Sequence, residues 1–247
     1  MRLTRIHVDG LPAEGALLPL APRAAAHLTR VLRLKAGAQI AVFDGGGREH
    51  DATIESLRGD RVDIRIGAAR QTPPPSRLSI TLAQGISRGD RMEYAIQKAT
   101  ELGVTRIVPL FCERSVVKLD ERQAERKLEH WLGIAISAAE QCGRADLPEL
   151  LAPRKLADHL GAVRGADPGL LRLVLAPHAS ISARELPGTP VAIEILIGPE
   201  GGLADDELAL ATLAGYTRLR LGPRILRTET AAAAAIAALQ TLHGDLG

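Results

Sequence analysis

Aromatic side chains are nearly missing from this chain: two Phe, two Tyr and one Trp make up 2% of its 247 residues. The interior must therefore be filled by Ala, Leu, Ile and Val. Cysteine is as scarce, and Cys112 and Cys142 stand too isolated for a disulfide framework or a zinc site. Reduced thiols in a cytoplasmic protein are the expectation. No apolar run approaches the roughly 18 residues that cross a bilayer. His7 and Asp9 follow the opening Met1-Arg2-Leu3-Thr4-Arg5, so no secretion signal is expected.

Several chemical signatures are missing as well. There is no G-x-x-x-x-G-K-[ST] phosphate loop, no G-x-G-x-x-G opening a helix after a strand, and no G-x-S-x-G elbow. No His, Cys, Asp and Glu group has metal-ligand spacing, so no metal is expected. A nucleophile with a recognisable base is not visible. Such a chain is better suited to positioning a reactive cofactor than to covalent catalysis of its own.

Two glycine-bearing loops near the C-terminus carry the strongest positive signal. One is Ile197-Gly198-Pro199-Glu200-Gly201-Gly202; the other runs from Leu221-Gly222-Pro223 through Arg227-Thr228-Glu229-Thr230-Ala231. Each follows an apolar run with strand character and leads into a helical composition. In α/β sheets, ligands bind beyond the carboxyl ends of strands, where such loops gather. Gly201 and Gly202 lack a Cβ, which permits φ > 0 and close approach of backbone to a planar ligand.

The rest of the chain divides at Gln71-Thr72-Pro73-Pro74-Pro75-Ser76, a stiff extended segment. Residues 1–73 and 74–247 are the expected domains. Before the prolines, short alternating runs (38–43, 51–57, 61–66) joined by turns at 44–47 and 58–60 predict a small β-barrel. A single helix is expected there, over 23–34. After them, strands at 78–83, 104–110, 171–176, 191–197 and 217–221 alternate with helices at 90–102, 121–142, 204–214 and 228–243. That pattern predicts a mostly parallel α/β sheet covered on both faces. Residues 144–170 and 177–190 carry no clear signal. Net charge is only +2, but residues 1–75 hold 11 Lys and Arg against 8 Asp and Glu, with a cluster at Arg23, His27, Arg30, Arg33 and Lys35. A basic small domain beside a ligand-binding one points to a polyanion partner.

Six stretches together resemble a known family: HLTRVLRLKAG, RGDRMEYAIQKATELGV, PLFCERSVVKL, HWLGIAISAAEQCGR, IGPEGGLADDEL and LGPRILRTETAA. The two glycine loops resemble the cofactor loops of SPOUT methyltransferases. The full set, in order from His27 to Ala232, resembles the 16S ribosomal RNA uridine N3-methyltransferase family (RsmE). GPEGG alone is shared by several SPOUT families; EQCGR with LGPRILRTETA is far more specific. The resemblance implies an N-terminal PUA-like β-barrel and a C-terminal α/β sheet with a trefoil knot, an architecture otherwise nearly absent from proteins. It also implies a homodimer and S-adenosylmethionine as methyl donor, held by Leu175, Ala176, Pro177 and His178, by Ile197 to Gly202, and by Leu221, Gly222, Ile225, Leu226, Arg227, Thr228, Thr230 and Ala231. The chain departs from the family's pattern at Leu203-Ala204, where an aromatic residue and Ser are common; Asp205 is then the expected helix cap.

Methylating uridine N3 requires removal of an imide proton. Glu200 is the candidate hydrogen-bond acceptor or base, although it equally suits fixing its loop, and Glu229 is a further catalytic candidate. Arg227 suits steadying negative charge on the uracil oxygens, with an ion pair to Glu229 as its other reading. Thr228 and Thr230 read equally as helix caps, and Ile225 and Leu226 as an apolar floor under the adenine. Candidate RNA contacts are Arg5, His27, Arg30, Arg33, Arg88, Arg114, Lys118, Gln141 and Arg144. The implied substrate is 16S rRNA or the small ribosomal subunit. Two other readings stay open from sequence: a non-catalytic RNA-binding or assembly factor, and the same chemistry on tRNA.

Overall fold

The computed structural model describes residues 3–59, 61–163, 169–186 and 188–247. Asp60, in the second expected turn, and parts of the two uninformative stretches lie outside them. The chain separates into two compact units: residues 1–74 with 136–147, and 75–135 with 148–247. Grouping 136–147 with the first unit departs from a simple division at the prolines.

In the first unit β1 (Arg5–His7), β2 (Leu17–Pro19), β3 (Gln39–Phe43), β4 (Glu49–Arg58) and β5 (Arg61–Ala69) form one sheet in the order β1-β3-β4-β5-β2. All ladders are antiparallel except β1 on β3. Two register shifts interrupt the β4–β5 ladder, between His50 and Ala52 and between Ile54 and Ser56. Among the described residues no ladder joins β1 to β2, so the expected barrel is open. Ile6, Leu28, Ile40, Val42, Ile54, Val62 and Ile64 form its core. The expected helix over 23–34 is shorter and changes type: α1 (Pro22–Ala26) runs into a π-helical turn, His27–Val31.

The second unit holds β6 (Ser79–Gly85), α2 (Asp90–Glu101), β7 (Arg106–Phe111), α3 (Glu121–Cys142, whose last turns group with the first unit), β8 (Glu149–Leu150) and β9 (Arg154–Lys155). It continues through α4 (Leu156–Val163), β10 (Leu170–Leu175), β11 (Ile181–Ser182), β12 (Ala192–Ile197), α5 (Asp205–Leu213), β13 (Thr217–Arg220) and α6 (Thr228–His243). The sheet order is β11-β13-β10-β12-β6-β7-β8, with β9 also on β7, and every pair is parallel.

Both faces are covered, which is why the strands read as unbroken apolar runs. Along β12, Ile193, Ile195 and Ile197 enter the core built with α2, α3 and α6, around Met92, Ile96, Trp131, Ile236 and Leu239. Leu196 enters the opposite core, with Leu156 and Leu160 of α4 and Ala211 of α5. Burying each such aliphatic side chain stabilises the fold by about 1.5–3 kcal/mol.

Glu194 is a buried charged residue on that second face. It is 4% exposed, and its Oε1 lies 2.6 Å from His159 Nε2 of α4 and accepts the Tyr216 hydroxyl. Burial alone would raise its carboxyl, but the His159 and Tyr216 contacts and nearby Arg172 carry it below the usual 4.5. Burial and the facing Glu194 push the Tyr216 phenol well above its ordinary range.

Candidate active site

Because β13, β10 and β12 are neighbours and parallel, the chain leaves all three at one edge of the sheet. The loops that follow them enclose a cavity of about 480 Å³. Leu175, Ala176 and Pro177 line one part, Ile197 to Leu203 another, and Leu221, Gly222 and residues 224–229 with Ala231 the third. Every residue named from sequence for the cofactor is thus brought together, apart from His178 and Thr230, which are not in the lining.

Backbone proximity shapes this cavity. A Cβ on Gly198 would stand 2.7 Å from Leu203 N and 2.8 Å from Gly202 C, so the loop folds back on itself only with glycine there. Gly202 has φ 71°; Gly201 does not need positive φ, contrary to expectation, but packs where a Cβ would meet Arg114 Cβ at 3.0 Å. Arg114 Nη1 donates to Gly201 O and Leu203 O, so a residue read from sequence as an RNA contact also clasps the glycine loop.

Glu200 is fixed in the same way. Its Oε1 accepts the Arg88 amide at 2.8 Å and lies 3.2 Å from Arg91 Nη1. Burial acts to raise its carboxyl, yet the Arg88 amide and Arg91 together hold it below 4.5. A carboxylate so held is a weak base. Arg91, on the first turn of α2, is a lining residue that sequence reasoning did not name.

Glu229 lines the cavity and differs: among the described residues no hydrogen bond or ion pair holds its carboxylate, whose Oε2 is buried like that of Glu200. No ion pair joins it to Arg227, whose exposed side chain has no polar partner among the described residues. Arg227 occupies the N-cap position of α6 without a side-chain cap, and Thr228 begins the helix by donating to Gly198 O at 2.7 Å. Ile225 is 80% exposed, so it lines the rim; the apolar floor falls to Leu175, Ile197, Leu219, Leu221 and Leu226. Asp205 does not cap α5 through its side chain. Instead Glu207 reaches back, its Oε2 accepting the Ala204 amide at 2.9 Å and its Oε1 the Glu113 amide at 2.7 Å.

The remaining expected RNA contacts are scattered in sequence. His27, Arg30, Arg33 and Gln141 are exposed in the first unit, and Arg88 and Lys118 in the second. Arg5 is a correction. It is 8% exposed, stacks over Phe43, pairs with Glu49 at 2.6 Å and donates to Ala139 O and Arg144 O. Its guanidinium is consumed internally, which no sequence pattern signals. Arg144 is half-buried and pairs with Asp146. No group of three or more His, Cys, Asp or Glu among the described residues is placed to hold a metal ion, and no helix there is long and apolar enough to cross a membrane.

A parallel α/β sheet with a glycine-walled cavity at its carboxyl edge, in a chain that also holds a small β domain, defines a class that comparison makes specific. Residues 74–240 match the RNA methyltransferase domain and residues 20–67 the RNA methyltransferase PUA domain. The chain belongs to the family of ribosomal RNA small subunit methyltransferase E proteins. It is 33% identical to that protein of Buchnera aphidicola subsp. Schizaphis graminum, over 99% of this chain and 98% of the other. A Legionella pneumophila protein solved in complex with S-adenosylmethionine is 42% identical, with a TM-score of 0.94 and full coverage of both chains. The ribosomal RNA small subunit methyltransferase E of Neisseria gonorrhoeae, solved bound to S-adenosyl methionine, is 36% identical with a TM-score of 0.90, again over the whole of both chains.

Proposed function

We propose that this protein transfers a methyl group from S-adenosylmethionine to N3 of a uridine in 16S rRNA of the small ribosomal subunit. The observation that carries the reading is the convergence of the three loops on one cavity, in a chain that matches cofactor-bound relatives along its full length. The cavity suits a cationic, amine-bearing donor. Its glycines leave backbone close to the ligand, its floor is apolar, and Oε2 of Glu200 and of Glu229 are buried acceptors without partners.

S-adenosylmethionine supplies an electrophilic methyl group. The protein's part is orientation, proton removal and charge control. Leu175 to Pro177, Ile197 to Gly202 and Leu221 to Ala231 hold the donor. Glu229 accepts the imide proton through its free oxygen. Arg227 faces the negative charge that grows on the uracil oxygens, and Glu200 fixes the glycine loop. His27, Arg30, Arg33, Arg88, Lys118 and Gln141 contribute to RNA binding, with Arg114 and Arg144 doing so from internally tied positions.

The C-terminal chain forms the trefoil knot that the family resemblance implies. In support, β13 lies beyond β10, yet α6 returns to pack on β12, β6 and α2. The protein is a homodimer and works in the cytoplasm, where its substrate is.

Labelled methyl donor incubated with the protein and small subunits from a strain lacking this activity tests the reading. Digestion to nucleosides is expected to place the label in 3-methyluridine of 16S rRNA. Label on a ribose oxygen or in tRNA would overturn the assignment, and calorimetry showing no binding at millimolar donor would remove the enzyme altogether. Light scattering in solution tests the dimer.

A further inference from the structure

Gln84, at the end of β6, is 1% exposed and is not part of the cavity lining. Its amide nitrogen donates to Gly85 O at 3.1 Å and to Thr228 Oγ1 at 2.9 Å. Its oxygen, buried, has no partner among the described residues. The directions of these bonds are forced. Gly85 O can only accept, so the amide must face it with nitrogen. The Thr228 hydroxyl must then accept from Gln84, which leaves its single proton for Gly198 O, 2.7 Å away.

The neighbouring residue adds a steric counterpart. A Cβ on Gly85 would stand 2.5 Å from Pro199 N and 2.8 Å from Gly198 C, so this strand end and the glycine loop touch backbone to backbone. Gly198 and Thr228 lie on two different loops of the cavity, and both line it. The hydrogen-bond chain from Gln84 is therefore a strut across them, rooted in a buried strand that carries no lining residue of its own.

We propose that Gln84 is a positioning residue for donor binding. By fixing the proton of Thr228 on Gly198 O, it holds the glycine loop and the start of α6 at the separation the methyl donor requires. The proposal rests on the S-adenosylmethionine reading of the cavity. Without Gln84 the Thr228 hydroxyl turns freely and the two loops lose their fixed spacing. Cofactor affinity then falls, while Glu229 and Arg227, the groups that act on the uridine, lose no side-chain partner.

The test compares the full-length protein with Gln84→Met, Thr228→Val, the double variant and Thr228→Ser, by calorimetric titration of S-adenosylmethionine and by steady-state kinetics. Each of the first two is expected to raise Kd and KM for the donor about tenfold. Turnover of Gln84→Met at saturating donor should stay within about twofold, and the double variant should bind no more weakly than Thr228→Val alone. Thr228→Ser keeps the hydroxyl and should bind like the parent.

Losses that multiply in the double variant overturn the proposal. So does reduced turnover with unchanged KM, the pattern produced by a loss of folded protein. If Gln84→Met does not fold, Gln84→Asn replaces it, since its shorter amide does not span to Thr228. Parent-like affinity in that variant also overturns the proposal. A parent protein that binds no donor would show instead that the underlying cofactor reading had failed, and the titration of the unsubstituted chain separates the two cases.

Discussion

The Arg91 guanidinium lies 3.2 Å from Oε1 of Glu200, the same oxygen that accepts the Arg88 amide. One carboxylate oxygen thus joins the first turn of α2 to the glycine loop. Glu229 has no such restraint on either oxygen among the described residues. Glu200→Gln, which keeps an acceptor for the Arg88 amide, should retain single-turnover methyl transfer within about tenfold. Glu229→Gln should lose about 10²–10⁴-fold, the range of a general base. The opposite ranking would reassign the proton acceptor.

Arg227 carries no ion pair among the described residues, so removing it strands no partner charge there. Arg227→Ala should keep donor affinity within about tenfold and slow methyl transfer about 10²–10³-fold, as removal of a donor to developing charge does. Calorimetry beside single-turnover kinetics would check this. A weakened Kd with intact chemistry would make Arg227 a cofactor ligand instead.

The Glu194 carboxyl titrates below 4.5 in the fold, after His159, Tyr216 and Arg172 outweigh its burial. Its stabilising contribution is therefore complete above the unfolded value and is lost as pH falls through the native one. Urea midpoints should show Glu194→Gln weaker than the parent near neutrality, with the gap closing below about pH 4.5. Glu194→Ala also strands the His159 ring and the Tyr216 hydroxyl, at about 1–3 kcal/mol each. A gap that widened in acid would contradict the cause given.

RNA affinity should fall steeply with salt, through phosphate contacts made by exposed residues such as Arg33. Replacing both Arg33 and Lys35 with Ala should reduce the slope of log K against log salt by roughly one to two. Arg5→Ala should instead lower stability, because Arg5 is buried on Glu49 and Phe43. Filter binding at several salt concentrations, beside thermal melts, distinguishes these effects.

Long elements were legible in the sequence because their ends are chemically marked. The bounds of α3 and α6 agree with the sequence reading, and Gly143 and Gly244 stop them. The three-residue strands β1 and β2 carry too few alternations to register, and α4 spans only eight residues. The cavity loops were legible because glycine at sites of close backbone approach is itself a signal. Gln84 was not: it lies 144 residues from Thr228, and only the sheet order brings them together. Arg5 misled for a related reason. A basic residue among basic residues reads as surface, and its burial depends on Glu49 and on the distant carbonyls of Ala139 and Arg144.

Those carbonyls belong to the tail of α3 and the turn after it, within residues 136–147. Phe43 packs against Ala139 and Ala145 of the same stretch. The N-terminal module is consequently discontinuous along the gene. A fragment truncated at the prolines would expose that aromatic ring and leave a shielded guanidinium short of two acceptors. Chimeras that exchange this module between relatives need two insertion points, one for the opening segment and one for the end of a helix encoded some sixty residues later.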